Sequence, residues 1–324
     1  MRVLRHYSDL PAEALGAVVV LGNFDGLHRG HQAVLNEARA VANRLAAPLA
    51  LITFEPHPRR FFTPDRPPFR LSSLRTKALV LEALGVDFLL ALHFDKALAA
   101  MSAEDFVMAV LVKGLKARHV VVGYDFVFGH KRGGGVPLLS WMAEMEGFGL
   151  SVVEAAGAGG EIFSSTRIRQ HLSEARPQDA ADLLGRWWCI EGRVLPGDKR
   201  GRTIGFPTAN IALYEYLVPA LGVYAVRAGI EGERAIAWHD GVANLGRRPT
   251  FAKEDVLLEV HLLDFDGDLY GRHLLVQFVD FIRQERKFDG IAALKAQIAA
   301  DAGKARVILA DPANQDGKRF AHPN

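Results

Sequence analysis

AVVVLGNFDGLHRGH, residues 17–31, decides the class of the first half of the chain. Ala17–Leu21 is a short apolar, β-branched run closed by glycine, which reads as a buried strand. Gly22-Asn23-Phe24-Asp25-Gly26 follows at once as a turn. Beyond it Val34, Ala38, Val41 and Leu45 recur at steps of +4, +3 and +4, one face of a helix. The alternation continues outward. Leu49–Phe54, Phe88–Leu92, His119–Val122 and Leu150–Val153 are further apolar strands. Ser72-Ser73 open a helix with the stripe Leu74, Ala78, Leu81 and Leu84 and a stop at Gly85, and Ser102 with Asp105 opens another. Continuous apolar strands alternating with amphipathic helices imply a parallel sheet covered on both faces. Ligands of such sheets bind beyond the carboxyl ends of the strands, where Gly22–Gly26 lies.

The pattern changes near Leu184-Gly185-Arg186. From Cys189 onward the chain reads as strands with turns between them: Cys189–Leu195, Gly222–Ala228, Arg234–Trp238, Val256–Leu263 and Leu269–Phe278. Asp266-Gly267 is expected to be a hairpin turn between the last two, and a final helix carries Ile291, Leu294 and Ile298 on one face. At roughly 150 residues per domain, 324 residues suit two domains. The 49% hydrophobic and 23% charged composition is that of a folded globular chain. Lys+Arg 39 against Asp+Glu 37 is too even for a general nucleic-acid binder. Cys189, the single cysteine, excludes an internal disulfide and a cysteine-built zinc site. The first apolar run is far short of the roughly 20 residues of a membrane span and too brief for a secretory signal. The expectation is a cytoplasmic protein with no membrane or nucleic-acid partner.

Four constellations carry chemistry. His28 and His31 stand one helical turn apart just after the Gly22–Gly26 turn. Two imidazoles at a helix N-terminus suit a polyphosphate better than a metal, since no carboxylate shares the turn; the spacing alone also fits a capping loop. Ser164-Ser165-Thr166-Arg167-Ile168-Arg169 is a hydroxyl-rich helix start whose arginines can fork onto phosphate or simply face solvent. Gly192, Gly197, Lys199, Gly201 and Gly205 run into Phe206-Pro207-Thr208-Ala209-Asn210, a glycine-dense flap or a turn-rich hairpin. Thr208 and Asn210 share one face of a strand and offer hard oxygens to a phosphate-bound Mg²⁺. Glu259 sits in the apolar strand VLLEVHLL, where a carboxylate needs a partner, a cavity or a solvated rim. Phe54, Phe61, Phe62, Phe126, Phe128, Tyr224, Phe251 and Arg283 suit a flat ring but serve equally as core.

Together these residues resemble the bifunctional bacterial riboflavin kinase/FAD synthetase family. GNFDGLHRGH at 22–31, TFEPHP at 53–58, VGYDFVFG at 122–129 and SSTRIR at 164–169 are similar to its FMN adenylyltransferase domain. GRVLPGDKRGRTIGFPTAN at 192–210, GVYAV at 222–226, GVANLGRRPTF at 241–251, LEVHLLDF at 258–265 and RQERKFDG at 283–290 are similar to its riboflavin kinase domain. The resemblance implies a Rossmann-like nucleotidyltransferase domain over 1–184, then a six-stranded antiparallel barrel with a C-terminal helix over 185–324. It implies ATP and Mg²⁺ as cofactors, with riboflavin, FMN and FAD as substrates and products. In the first domain Gly22, Asn23, Phe24, Asp25, Gly26, His28, His31, Asp125, Phe126, Ser165, Thr166 and Arg167 are expected around the nucleotide, with His28, His31 and Arg167 acting on its phosphates. In the second, Lys199, Gly201, Gly205, Thr208 and Asn210 are expected around Mg-ATP. Thr208 and Asn210 would hold the metal, Glu259 would be the general base and Arg283 a flavin contact. The stretch after Asp301 matches no part of the family and is expected to be a mobile tail.

The two reactions need different chemistry. Riboflavin attacks through a neutral hydroxyl and needs a proton acceptor, whereas FMN attacks through a phosphate already anionic and needs positioning and positive charge. Two other readings remain: a nucleotidyltransferase with a barrel that only binds flavin, and a flavin-sensing or RNA-binding module.

Overall fold

The structure is a computed structural model that describes residues 1–158, 161–196, 205–232, 235–249 and 254–315. Two compact units divide the chain. The first comprises Met1–Arg66 and Lys77–Phe163; the second comprises Pro67–Thr76 and the described residues from Ser164 onward.

The first unit is built on six parallel strands: β1 (Arg2–Leu4), β2 (Val18–Leu21), β3 (Leu49–Glu55), β4 (Phe88–His93), β5 (His119–Gly123) and β6 (Gly149–Val153). Their order across the sheet is β1-β4-β3-β2-β5-β6. All four residues of β2 are buried, as a strand covered on both faces requires. Between β2 and β3 runs α1 (Arg29–Leu45), which buries Val34, Leu35, Ala38, Val41 and Ala42, the expected stripe with Leu45 only half-buried. Full burial of a Val or Leu side chain contributes about 2 kcal/mol, so this face is what fastens α1 to the sheet. α2 (Leu74–Ala83) ends at Gly85, whose φ of 69° is the left-handed stop foreseen there. Ser102 accepts a hydrogen bond from the Asp105 amide and starts the helix that continues through Gly114. β1 is a strand that the apolar pattern does not announce. It is three residues long, largely exposed, and held by parallel pairing to β4. The strand order reverses between β2 and β5, so the turn after β2 opens at the switch point of the sheet.

The second unit is antiparallel. β7 (Trp188–Arg193), β8 (Ala209–Ala212), β9 (Gly222–Glu231), β10 (Ile236–Pro249), β11 (Glu254–Leu262) and β12 (His273–Arg283) lie in the order β7-β12-β9-β10-β11-β8. A bridge between Leu195 and Asn210 joins the two ends of that order and curls the sheet. The expected hairpin at Asp266-Gly267 does not exist. β11 pairs with β10 and β8, β12 pairs with β9 and β7, and the two are linked by a loop over 263–272. α3 (Val136–Glu146) belongs to the first unit, whereas α4 (Ser165–Ser173) and α5 (Pro177–Leu184) group with the second. The structural division therefore falls at Phe163, earlier than residue 184. Ala181 of α5 is buried in one cluster with Trp187, Val223, Ala225, Val242, Val279, Ala305 and Leu309, which explains the grouping.

The tail reading is corrected for residues 302–315. α6 (Ile291–Ala310) continues nine residues past Asp301, and a further turn covers Pro312–Asn314. Its inward face is Leu294, Ile298, Asp301, Ala305 and Leu309, while Ile291 is exposed. The buried Arg227 guanidinium donates to the carbonyls of Leu309 and Asn314 and so caps the helix end. Residues 316–324 lie outside the described residues.

Candidate functional site

In the first unit, the turn after β2 takes an unusual backbone path. Gly22 has φ 156°, Phe24 47°, Gly26 85° and Leu27 48°. Left-handed conformations at Phe24 and Leu27 cost roughly 1–2 kcal/mol each and persist only where the surroundings impose them. Here both side chains are buried, Phe24 against the His31 ring at 4.7 Å between centroids. A Cβ on Gly22 would lie 2.9 Å from the Phe24 ring, so this position admits no side chain without movement. The Asn23 carbonyl accepts from Thr53 Oγ1 at 3.1 Å and from Lys77 Nζ at 2.6 Å. Asp25 is buried. His28 is the N-cap of α1, its Nδ1 accepting from the His31 amide at 3.3 Å, and its ring stacks on that of His31 with centroids 3.6 Å apart. The two imidazoles thus form one surface at the N-terminus of α1, as their spacing suggested.

The neighbouring turn, after β5, closes by a hydrogen bond from the Phe126 amide to the Gly123 carbonyl. Asp125 is exposed there, and Phe126 stacks on Phe128 with centroids 5.3 Å apart. The scattered phenylalanines prove to be a connected series. Phe62, Phe61, Phe94, Phe54, Phe106, Phe128 and Phe126 follow one another with centroid spacings of 5.2–6.2 Å, and Phe62 is 63% exposed. Ser165, Thr166 and Arg167 form the first turn of α4, capped by Ser164 Oγ, which accepts from the Arg167 amide at 3.3 Å. Arg169 is turned elsewhere, donating to the Phe69 carbonyl and lying over the Phe69 ring. Burial lowers the pKa of His171 on the same helix, favouring its neutral form.

The second unit contains a cavity of about 990 Å³. Its wall carries a single rung of paired residues across five strands. Asn210 pairs with Glu259, Glu259 with Asn244, Asn244 with Val223, and Val223 with Arg283. Cross-strand partners share a face and lie about 5 Å apart at Cα. Glu259 therefore stands between two amides and lines a cavity, one of the three settings that its position in an apolar strand left open. Asn244 was not singled out in the sequence, because nothing in GVANLGRRPTF says which strand lies beside it. Its Nδ2 donates to Glu285 Oε1 at 3.2 Å. Thr208 lies just before β8, not on it, but lines the same cavity. That approach segment is tied down by His261, whose Nδ1 is 2.8 Å from the Pro207 carbonyl. Gly205 has φ 90°, a conformation that favours glycine; Lys199 and Gly201 lie outside the described residues.

Arg283 lines the cavity with its guanidinium engaged. It forms an ion pair with Asp301, 2.7 Å from Nη2 to Oδ2, and Asp301 is 2% exposed. Gln297 Nε2 also donates to Asp301, at 2.7 Å. Tyr224 is core: 1% exposed, packed on Phe278 and Phe281, with its hydroxyl donating to the Ala220 carbonyl. The aromatic lining comes instead from Phe206, Phe265, Tyr270 and Phe288. Phe251 lies outside the described residues.

Comparison with known proteins identifies the family. The family model for FAD synthetase matches residues 10–167 and that for riboflavin kinase matches residues 184–309. A bifunctional riboflavin kinase/FMN adenylyltransferase of Pseudomonas fluorescens is 43% identical over 97% of this chain and 100% of its own length. Its counterpart in Escherichia coli K12 is 42% identical over 94% and 96%. The chain belongs to the bifunctional riboflavin kinase/FMN adenylyltransferase family. A crystal structure described as a macrolide-efflux protein of Streptococcus pneumoniae is also similar, with TM-score 0.82, 31% identity, and coverage of 94% of this chain and 98% of that one. Among the described residues of this family member, no helix is long and apolar enough to cross a membrane. The family's Mg²⁺ fits the second unit's cavity. Asn210 is 5% exposed and its Oδ1 is buried with no hydrogen-bond partner among the described residues, an oxygen available to a hard cation. No group of three His, Cys, Asp or Glu side chains able to hold a metal occurs among the described residues.

Proposed function

We propose that the two activities of the family are divided along this chain, adenylyl transfer to residues 1–184 and riboflavin phosphorylation to residues 185–324. The protein is a riboflavin kinase and FMN adenylyltransferase: it converts riboflavin and ATP to FMN and ADP, then FMN and ATP to FAD and pyrophosphate. We place it in the cytoplasm, acting on small molecules without a nucleic-acid or membrane partner.

The observation that carries the kinase assignment is the rung that sets Glu259 between Asn210 and Asn244 in a cavity able to hold a flavin and a nucleotide. Glu259 accepts the proton of the ribityl primary hydroxyl as its oxygen bonds to the γ-phosphorus and the bond to ADP breaks. A positioned base of this kind accelerates proton transfer by roughly 10²–10⁴. Thr208 and Asn210 would hold Mg²⁺, which would supply charge screening for the nucleotide phosphates. We also assign Lys199, Gly201 and Gly205 to nucleotide binding. Arg283, held by Asp301 and lying 5.7 Å from the centroid of the Phe288 ring, is assigned the flavin contact.

Adenylyl transfer asks for no base. The FMN phosphate attacks the α-phosphorus and pyrophosphate leaves. Stacked His28 and His31 and the first turn of α1 contact the nucleotide phosphates, with Gly22–Gly26 and Asp125 shaping the approach. Ser165, Thr166 and Arg167 serve as phosphate contacts of the same reaction. The connected phenylalanines, Phe126 among them, supply a face for the isoalloxazine ring.

One assay tests the whole reading. The full chain is incubated with riboflavin, ATP and Mg²⁺, and separately with FMN, ATP and Mg²⁺, and products are separated by chromatography. FMN then FAD from the first mixture and FAD from the second are expected; FAD from FMN with no FMN from riboflavin would reduce the second unit to a flavin-binding barrel.

A further inference from the structure

The mechanism leaves one buried cation of the first unit unused. Lys77 is 1% exposed, on α2, and reaches across to the turn after β2. Its Nζ donates to the Asn23 carbonyl at 2.6 Å and to Thr53 Oγ1 at 3.0 Å, and Thr53, fully buried on β3, donates to the same carbonyl at 3.1 Å. Asn23 lies between Gly22 and Phe24, at φ 156° and 47°. We propose that Lys77 is a positioning residue for adenylyl transfer: with Thr53 it clamps the Asn23 carbonyl and so fixes the backbone of Gly22–Leu27 in the conformation that receives the nucleotide.

The physical case has three parts. A buried ammonium is costly to desolvate and is retained where its donors are used. A hydrogen bond from an ion to a carbonyl is roughly twice as strong as a neutral one, and this carbonyl receives it immediately before Phe24, a non-glycine residue held at φ 47°. Thr53 orients the ammonium and shares the acceptor, so the turn, β3 and α2 are locked through one oxygen. Lys77 acts through the turn and is not assigned a contact with substrate. Neither TFEPHP nor the Ser72-Ser73 helix start revealed the pairing, since the residues are far apart in sequence.

This rests on the assignment of adenylyl transfer to the first unit, which the wild-type chain tests by making FAD from FMN. Lys77→Met keeps the length and apolar body of the side chain and removes the donor; Thr53→Val keeps the shape and removes the hydroxyl. In Lys77→Met, kcat for FAD formation should fall at least tenfold with KM for FMN within twofold, and FMN formation from riboflavin should stay within twofold. Thr53→Val should show the same selectivity with a smaller loss, about two- to fivefold. Amide hydrogen exchange of Gly22–Leu27 should quicken at least tenfold in Lys77→Met while β9–β12 exchange as in the wild type. FAD formation within twofold of wild type in Lys77→Met, or unaltered exchange in the turn, overturns the proposal. If Lys77→Met does not fold, Thr53→Val decides alone: equal loss of both activities, or no loss, refutes the clamp.

Discussion

Replacing Glu259 by Gln isolates the one feature on which the kinase assignment turns. The amide has nearly the shape of the carboxylate and can still meet Asn210 and Asn244, its partners on the flanking strands. The rung and the packing around it should therefore survive, and what disappears is a basic oxygen. Loss of a positioned base costs roughly 10²–10⁴ in rate, or about 3–5.5 kcal/mol of transition-state stabilisation. FMN formation should fall by that factor at saturating riboflavin and ATP, with KM for both little changed because the substitution touches ground-state contacts only weakly. FAD formation from added FMN should remain within twofold, since an anionic nucleophile needs no proton acceptor. Chromatography of both mixtures on one preparation, with a melting curve beside it, gives the comparison. A Glu259→Gln protein that melts normally and keeps kinase activity within tenfold of wild type would remove Glu259 from the base role. Equal loss of both activities would refute the division of labour.

The reciprocal change, His28→Ala with His31→Ala, should abolish FAD formation and spare FMN formation; it also removes the cap of α1, lowering stability by about 1 kcal/mol, measurable by denaturant titration. Asp301→Ala leaves the Arg283 guanidinium without its buried carboxylate and should cost about 3 kcal/mol in the unfolding of the second unit, with a raised KM for riboflavin in steady-state kinetics. Asp280 titrates above the usual carboxylate range because burial disfavours its charge, although its Oδ1 accepts from the Phe281 amide. A folded pKa above the unfolded one means that ionisation opposes folding, so stability is lost as pH rises through that window. Asp280→Asn should therefore raise the melting temperature at pH 7, and the gain should vanish once the pH falls below the ordinary carboxylate pKa.

The architecture of the first unit was legible because its strands are unbroken apolar runs and its helices carry caps and stripes: Ser102, Gly85 and the Val34–Val41 face are where the pattern put them. β1 was not, because three largely exposed residues carry no period and are held by backbone bonds to β4. The end of the second unit was misread for a related reason. Asp301 interrupts an apolar helical face that Ala305 and Leu309 resume, and a lone sequence cannot show that Arg283 neutralises it. Likewise Asp266-Gly267 has the composition of a hairpin turn, yet strand order places β10 and β9 between the strands it connects. At the sites, residues within one motif were legible, His28 with His31 above all. Residues that meet only through pairing were not: Asn244 beside Glu259, and Lys77 beside Asn23.

That difference between motif and pairing bears on why the sites are so unlike. Among the described residues, the cavity of the second unit is lined by Glu259, Glu285, Asp266, Asp268 and Asp301 against Arg283 and Arg286, and Asp301 is already spent on Arg283. A triphosphate entering such surroundings must arrive with its own charge screened, which is what Asn210 Oδ1 and Thr208, as neutral oxygens for a cation, are suited to support. The amide residues Asn210 and Asn244 flank Glu259 on the neighbouring strands. In the first unit the requirement is the opposite. Two anions must meet at the α-phosphorus; in the proposed site the turn would contribute imidazoles and a helix N-terminus, and its one carboxylate, Asp25, is buried. The charge of the attacking atom thus accounts for the residue types on both sides, a neutral alcohol facing a carboxylate and a phosphate facing donors.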